Sequence, residues 1–334
     1  MGNLLNGKKI LLFSQYFFGY EKKIKTKMEE LGAYVDLYDE MSIKNMYERA
    51  VLKVLPAIFK NKTEKYYGKI LEDVKNIEYD YVLFIDCEMP TENVLRNYRE
   101  EFSNSIFCLH LWDSVGNLKG VEKKFKYFDY ITTFDRDDAQ KYELMFRPLF
   151  YCDEYKAKSE IQTYCYDISF IGTIHSDRYR ILKRIFEQAK RENRSFYFYP
   201  YLQSKFIYYI YRVIKKEFKG TSIGDFKFAK LDSKEISKII DESRIVIDIQ
   251  HPKQTGLTMR TLEMLGMKKK LVTTNADIMN YDFYCSNNIS IIDRNNPIIN
   301  SDLYCSGYQD VDEKVYEFYS INQWCIDVLG VGKY

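Results

Sequence analysis

Arg260 and Glu263 stand three residues apart in GLTMRTLEMLG, where a glycine-containing loop from Gln254 leads into an apolar-periodic helix starting near Thr258. Unpaired amides at a helix N-terminus attract phosphate, and a guanidinium in the first turn can grip a diphosphate through paired hydrogen bonds. Gly256, Thr258 and Arg260 therefore form a candidate anion site, with Glu263 one turn further along the same helix. Arg260 and Glu263 also share a helix face, so an ordinary ion pair accounts for the same spacing.

A second set of candidates lies at strand ends. His251 closes RIVIDIQH and Pro252 stops the strand, so its imidazole can meet a phosphate or hydroxyl, or simply satisfy a loop carbonyl. Gly172, Thr173, His175 and Arg178 follow the strand DISFIGT. Gly172 lets the backbone approach a ligand closely, and Arg178 at the start of the next helix can neutralise phosphate. A simple tight turn with a solvated arginine is the alternative. The chain has 3 histidines, and His110, His175 and His251 each fall at or just after an expected strand, where open parallel sheets bind their ligands.

The elements that position these residues alternate. KKILLF, a turn over Ser14 to Tyr20, a helix ending near Leu31, and AYVDLYDE form a β-α-β opening without the GxGxxG fingerprint, so a dinucleotide cofactor is not supported. Lysine-bearing helices are expected over 43–78. The strand YDYVLFIDCEMP follows, ending in Asp86 and Glu88, then a helix over 91–102. The strand SIFCLHLWDS ends in His110, Trp112 and Asp113, and FDYITTFDRDDAQKY is a strand running into a helix. The DRDD run at 135–138 is read as a helix cap and not as a metal-binding DxD. After a crossover, DISFIGT, SFYFYPY, RIVIDIQH and KKLVTTN are expected as strands separated by helices, with a terminal helix from Asp310 to Leu329. This is the pattern of an α/β protein with two Rossmann-like, doubly wound domains facing a cleft. The expected division is 1–155, 156–310, and a C-terminal helix over 311–334 that can pack back on the first domain.

Length and composition suit this division. The 334 residues are 46% hydrophobic and 29% charged, which describes a globular chain of two domains. Lys+Arg (50) nearly balances Asp+Glu (48), which argues against nucleic acid as a partner. The 7 cysteines contain no CxxC pair, so neither a disulfide framework nor a structural zinc site is expected. No apolar run reaches the about 18 residues of a membrane span, and the N-terminal run lacks a signal-peptide cleavage site. A cytoplasmic location is expected.

The strings LWDS, FDRDDAQKY, RPLFY, DISFIGT and GLTMRTLEMLGMKKKLVTTN resemble bacterial capsule and lipopolysaccharide biosynthesis proteins of the GT-B glycosyltransferase kind, over residues 8–295. The resemblance implies a nucleotide-diphosphate sugar held by the C-terminal domain, a glycan or lipid-linked glycan acceptor on the N-terminal domain, and no tightly bound metal or cofactor. It also implies that Glu263 meets the ribose hydroxyls. Retaining enzymes of this kind carry a further acid eight positions earlier, where this chain has Thr255. Transfer then needs a base or a charge arrangement at the reacting centre. Asp86, Glu88 and Asp113 are the candidates, with Asp113 favoured beside His110 and the sugar-stacking Trp112; a turn cap is the other reading of Asp113. A non-catalytic nucleotide-sugar-binding or scaffold protein, or a nucleotide-sugar epimerase, fits the same features.

SKFIYYIYRVIKKEFKG, residues 204–220, combines aromatics and cations. It can rest on an anionic membrane at the inner face; the favoured expectation is that its aromatic face packs inside the domain.

Overall fold

The computed structural model describes residues 4–43, 56–157, 164–252 and 255–332. The chain forms two compact units, Met1–Leu149 with Ile321–Tyr334, and Phe150–Ser320. Both are α/β, each built on a wholly parallel sheet, in an α/β two-domain fold.

The first unit contains β1 (Lys9–Ser14), α1 (Tyr20–Glu30), β2 (Tyr34–Asp39), α2 (Lys60–Val74), β3 (Tyr81–Ile85), α3 (Glu92–Glu101), β4 (Ile106–Leu111), β5 (Tyr130–Thr133), α4 (Arg136–Lys141) and β6 (Met145–Phe146). Its sheet order is β2-β1-β3-β4-β5-β6. Inner strands flanked by helices on both faces need apolar side chains on both, which is why KILLF, YVLFI and IFCLHL read as nearly unbroken apolar runs. Phe13 stacks on Phe84 with centroids 4.5 Å apart, and Val94, Leu95 and Tyr98 of α3 close over the same core. Thr91 caps α3 by accepting from the Val94 amide. In the DRDD run the Asp135 carboxylate caps α4, accepting from the amides of Asp137 and Asp138.

The second unit holds β7 (Tyr166–Thr173), α5 (Arg178–Arg191), β8 (Phe196–Tyr201), α6 (Lys205–Ile214), α7 (Ser233–Asp241), β9 (Ser243–Asp248), α8 (Met259–Gly266), β10 (Lys270–Thr273) and β11 (Ile289–Ile291). Its order is β11-β10-β9-β7-β8, so the chain leaves β7 to one side for β8 and crosses to the other side for β9. The crevice at the carboxyl ends of β7 and β9 is the topological switch point of the sheet. Leu182, Ile185, Phe186 and Ala189 of α5 recur at helical spacing and are buried over Ile168, Phe170 and Ile245.

One expectation is corrected and two are met in part. The tail is two helices and not one: Glu313–Phe318 and Ile321–Asp327 are separated where Ser320 forms a β-bridge with Tyr151 and the Tyr319 carbonyl accepts from the Tyr151 amide. The second of them belongs to the first unit and packs on α1. The aromatic helix expected over 204–220 packs one face inward, with Tyr208 and Phe218 buried and Ile207 and Tyr211 half-buried on the same core, while a second apolar face, Phe206, Tyr209, Ile210, Val213 and Ile214, is exposed. Of the helices expected over 43–78, α2 is present, and residues 44–55 lie outside those described.

Candidate functional site

In the second unit the carboxyl ends of β7, β9 and β10 gather most of the residues singled out by sequence. His175 follows β7 and His251 follows β9, and their rings lie 5.6 Å apart. His251 is exposed and His175 half-buried. His175 Nδ1 is 3.0 Å from the Ser176 hydroxyl. Burial, then the charges of Arg178, His251 and Lys215, push the His175 pKa down to about 4, so its ring is neutral at neutral pH.

Arg178 is neither solvated nor free to swing. Its Nη1 donates to the Thr173 carbonyl at 2.7 Å, and Nε donates to the Ile249 carbonyl at 2.8 Å, with Nη2 reaching the same oxygen. It staples the loop after β7 to the loop after β9 across the switch point. Gly172 also serves the packing of this turn. A Cβ there would stand 3.0 Å from the Phe170 ring and 3.6 Å from Arg178 Nη1, so the missing side chain makes room for that ring and guanidinium. Burial lowers the Arg178 pKa, and the charges around it include Asp248, Arg294, Asp177 and Arg260. Arg294 after β11 donates to Asp177 at 2.8 Å and to the Gln250 carbonyl at 2.6 Å. Four cationic side chains, Arg178, Arg260, Arg294 and Lys215, thus lie near these strand ends, with the acids Asp177, Asp248 and Glu263 among them.

The loop before α8 is built from beneath. Asp248, the last residue of β9, is buried and accepts from the hydroxyls of Thr258 and Thr261 through one oxygen, the latter at 3.0 Å. Thr258 is the N-cap of α8, its oxygen taking the Thr261 amide. Asn275, just past β10, donates to the carbonyls of Thr255 and Gly256. Gln254 lies outside the described residues. Arg260 Nη1 meets Glu263 at 2.6 Å, and Glu263 is almost wholly buried. The i,i+3 ion pair is therefore the arrangement present, and Glu263 presents little of itself to a ligand.

In the first unit His110 is corrected from a candidate catalytic group to a core residue. It is the penultimate residue of β4, is wholly buried, bonds Thr132 Oγ1 through Nδ1 at 2.8 Å, and meets the Trp324 ring edge-on at 4.9 Å. Burial, followed by Arg147, pushes its pKa down to about 3. Asp113 sits in a turn, with Oδ1 accepting from the Ser114 amide and from Asn117 Nδ2, both at 2.8 Å.

Asp86 is the better-placed acid. It follows β3 at that sheet's own switch point, next to β1, and both Asp86 (φ 73) and Cys87 (φ 56) are left-handed, a backbone that costs energy and clusters at functional sites. Its Oδ1 accepts from the amides of Trp112 (2.6 Å) and Asp113 (3.0 Å). Burial outweighs these two hydrogen bonds and pushes its pKa up to about 7. Lys124 donates to the carbonyls of Cys87 and Glu88, fixing the turn. Glu40, after β2, is wholly enclosed and accepts from the Met89 amide at 2.6 Å; burial pushes it up to about 8. Across the switch point from β3, the loop after β1 presents the exposed rings of Phe17 and Phe18 in edge contact at 4.4 Å.

Sequence reading missed Asp248, Asn275, Arg294 and Glu40. The first two stand at strand ends in the apolar runs RIVID and KLVTTN, where a strand-end search would have caught them. Arg294 follows a strand of 3 residues, too short to recognise.

No protein-family model matches the chain, and no curated protein matches it in sequence. Solved structures do. The catalytic domain of starch synthase IV from Arabidopsis thaliana, bound to ADP and acarbose, is similar with a TM-score of 0.56 at 7% identity, over 97% of this chain and 99% of that one. Anabaena Alr3699/HepE in complex with UDP and glucose gives 0.53 at 11% identity, over 98% and 97%. The UDP-GlcNAc 2-epimerase of Methanocaldococcus jannaschii gives 0.52 at 10%, over 97% and 100%. The chain has the fold of these proteins, which is that of GT-B glycosyltransferases.

Proposed function

We propose that this protein is a glycosyltransferase that takes a sugar from a nucleotide-diphosphate donor held at the β7/β9 switch point. One observation carries the proposal: two imidazoles and four cationic side chains converge at the carboxyl edge of the second sheet, beside the capped N-terminus of α8. An anion held there gains from the helix dipole, from the exposed His251 and from arginines already fixed in place, so little ordering is needed on binding. In this reading Thr258, Gly256 and Thr173 offer hydroxyl and backbone groups, and Glu263 orients Arg260.

For the chemical step, Asp86 replaces Asp113 as our candidate base. A carboxylate with a pKa near 7 can both accept and release an acceptor proton at neutral pH. Phe17, Phe18 and Trp112 supply aromatic faces on which a sugar ring can stack. The acceptor we propose is a glycan or lipid-linked glycan of capsule or lipopolysaccharide assembly on the cytoplasmic side, as the sequence resemblance implies.

The test is release of nucleoside diphosphate from uridine-, guanosine-, thymidine- and cytidine-diphosphate sugars, with and without glycan acceptors. Release that Asp86→Asn lowers at least about 100-fold, as loss of a general base does, supports transfer. Conversion of the donor sugar to its epimer without acceptor would favour the epimerase reading, for which the similarity to the archaeal epimerase fold speaks. Binding without turnover would leave a sensor or scaffold.

A further inference from the structure

Helix α6 carries a surface that glycosyl transfer does not use. Phe206 (72% exposed), Tyr209 (55%), Ile210 (39%), Val213 (81%) and Ile214 (67%) all face solvent. Their spacing is i, i+3, i+4, i+7, i+8, a single stripe along the helix. The opposite face holds the helix down. Tyr208 is buried against Phe226 and Phe218, with its hydroxyl donating to the Thr221 carbonyl at 2.8 Å, and Ser204 caps the N-terminus through the Ile207 amide. The stripe is therefore presented by an anchored element.

Cations accompany it. Residues 204–220 contain five, Lys205, Arg212, Lys215, Lys216 and Lys219, against one acid, Glu217. Lys215 is engaged, donating to the Ser176 carbonyl at 2.6 Å with its ammonium over the Tyr211 ring. Lys205, Arg212, Lys216 and Lys219 are exposed. On the helix, Lys205 and Arg212 are seven residues apart and run along one border of the apolar stripe, while Lys216 and Lys219 follow its end.

We propose that α6 docks this unit on an anionic lipid bilayer, the apolar stripe entering the interface and the four exposed cations meeting acidic headgroups. Ten residues make about 15 Å of helix, too short to cross a bilayer but suited to lie in its surface. No helix among the described residues is long and apolar enough to cross one. Charge decides between this occupant and a second copy of the chain. A two-fold pairing places the same patch on both sides and would bring two cationic borders together, whereas an acidic headgroup layer complements both features at once.

The inference stands on α6 alone and is tested without donor. The full chain is sedimented with vesicles of phosphatidylcholine alone and of phosphatidylcholine and phosphatidylglycerol in equal parts, with analytical ultracentrifugation of the free protein alongside. Two variants carry the test, Phe206→Ser/Val213→Ser/Ile214→Ser and Lys205→Glu/Arg212→Glu/Lys216→Glu/Lys219→Glu. All seven side chains are exposed, so folding is preserved, and an unchanged melting temperature of the free variants serves as its control. The expected result is binding to the acidic vesicles at least about tenfold tighter than to the neutral ones, with each variant losing most of it. Absence of binding to acidic vesicles, equal binding by both variants, or a dimer in free solution that the serine variant dissociates would each overturn the proposal.

Discussion

The imidazoles of His175 and His251 lie 5.6 Å apart, one after β7 and one after β9, where strand order in the second sheet reverses. They are far apart in sequence, and the crossover that lays β9 beside β7 brings them together. Between them the Arg178 guanidinium ties the two loops by their carbonyls, so the pair sits on a fixed frame.

That frame gives His175 a pH response of definite sign. Its pKa is pushed down to about 4, below the about 6.5 of an unfolded histidine. As pH falls the unfolded chain takes up the proton first, so the stability contributed by the neutral ring is present above about pH 6.5 and is lost as pH falls towards about 4. A bound diphosphate favours the imidazolium and raises the pKa. In an NMR titration of the histidine rings, inorganic diphosphate should move the His175 midpoint up by about a unit or more; an unmoved midpoint would detach His175 from the anion site.

Glu40 responds in the opposite sense. Burial pushes it up to about 8, so as pH rises the unfolded chain releases its proton first. The stability of the neutral carboxyl is present below about pH 4.5 and drains away up to about pH 8. Glu40→Gln, which keeps the neutral shape, should gain in melting temperature over the wild type as pH rises from about 5 and level off above about 8. A gain of some degrees is expected, since each kcal/mol moves Tm by about 2–4 °C in a domain of this size. A difference constant with pH would show that Glu40 is ionised throughout.

The Arg260–Glu263 pair separates orientation from stability. Glu263→Ala leaves a largely buried guanidinium without its partner and should cost about 3–5 kcal/mol. Glu263→Gln keeps a hydrogen-bonding group of the same shape and should cost less, while weakening nucleotide binding about tenfold as Arg260 loses its fixed direction. Chemical denaturation and calorimetric titration measure the two effects. Undiminished affinity in the glutamine variant would reduce the pair to a structural role.

Gly266, at the end of α8, has no room for a side chain. A Cβ would stand 2.5 Å from the Tyr155 carbonyl and 2.6 Å from Tyr151 Cγ, neither of which is a flexible chain end. Gly266→Ala should therefore destabilise the protein by about 1–3 kcal/mol, read as a shifted denaturation midpoint.

The strands were legible because inner parallel strands must be apolar on both faces, and runs such as YVLFI and RIVID have no other use. What stayed hidden depended on distant partners. IFCLHL reads alike whether His110 faces a ligand or, as found, Trp324 from the last helix. The i,i+3 spacing of Arg260 and Glu263 serves an ion pair and a phosphate site equally. On α6 the sequence offers aromatics on both faces, and only the packing of Tyr208 decides which one turns outward. Arg178 stands at the start of its helix as expected, but its carbonyl partners at Thr173 and Ile249 belong to a crossover that local reading does not reveal.

The central claim is that a nucleotide binds at the β7/β9 switch point, against His175 and His251, and the most direct measurement is thermal melting with nucleoside mono- and diphosphates of uridine, guanosine, thymidine and cytidine. At ligand about 100-fold above Kd the native state gains about 2.7 kcal/mol, a rise of about 5–10 °C at the usual 2–4 °C per kcal/mol. The account predicts such a rise for the diphosphate of one base, sharply reduced in His175→Ala/His251→Ala, whose own melting without ligand stays close to the wild type. No rise with any of them, or a rise that the double variant keeps in full, would contradict it.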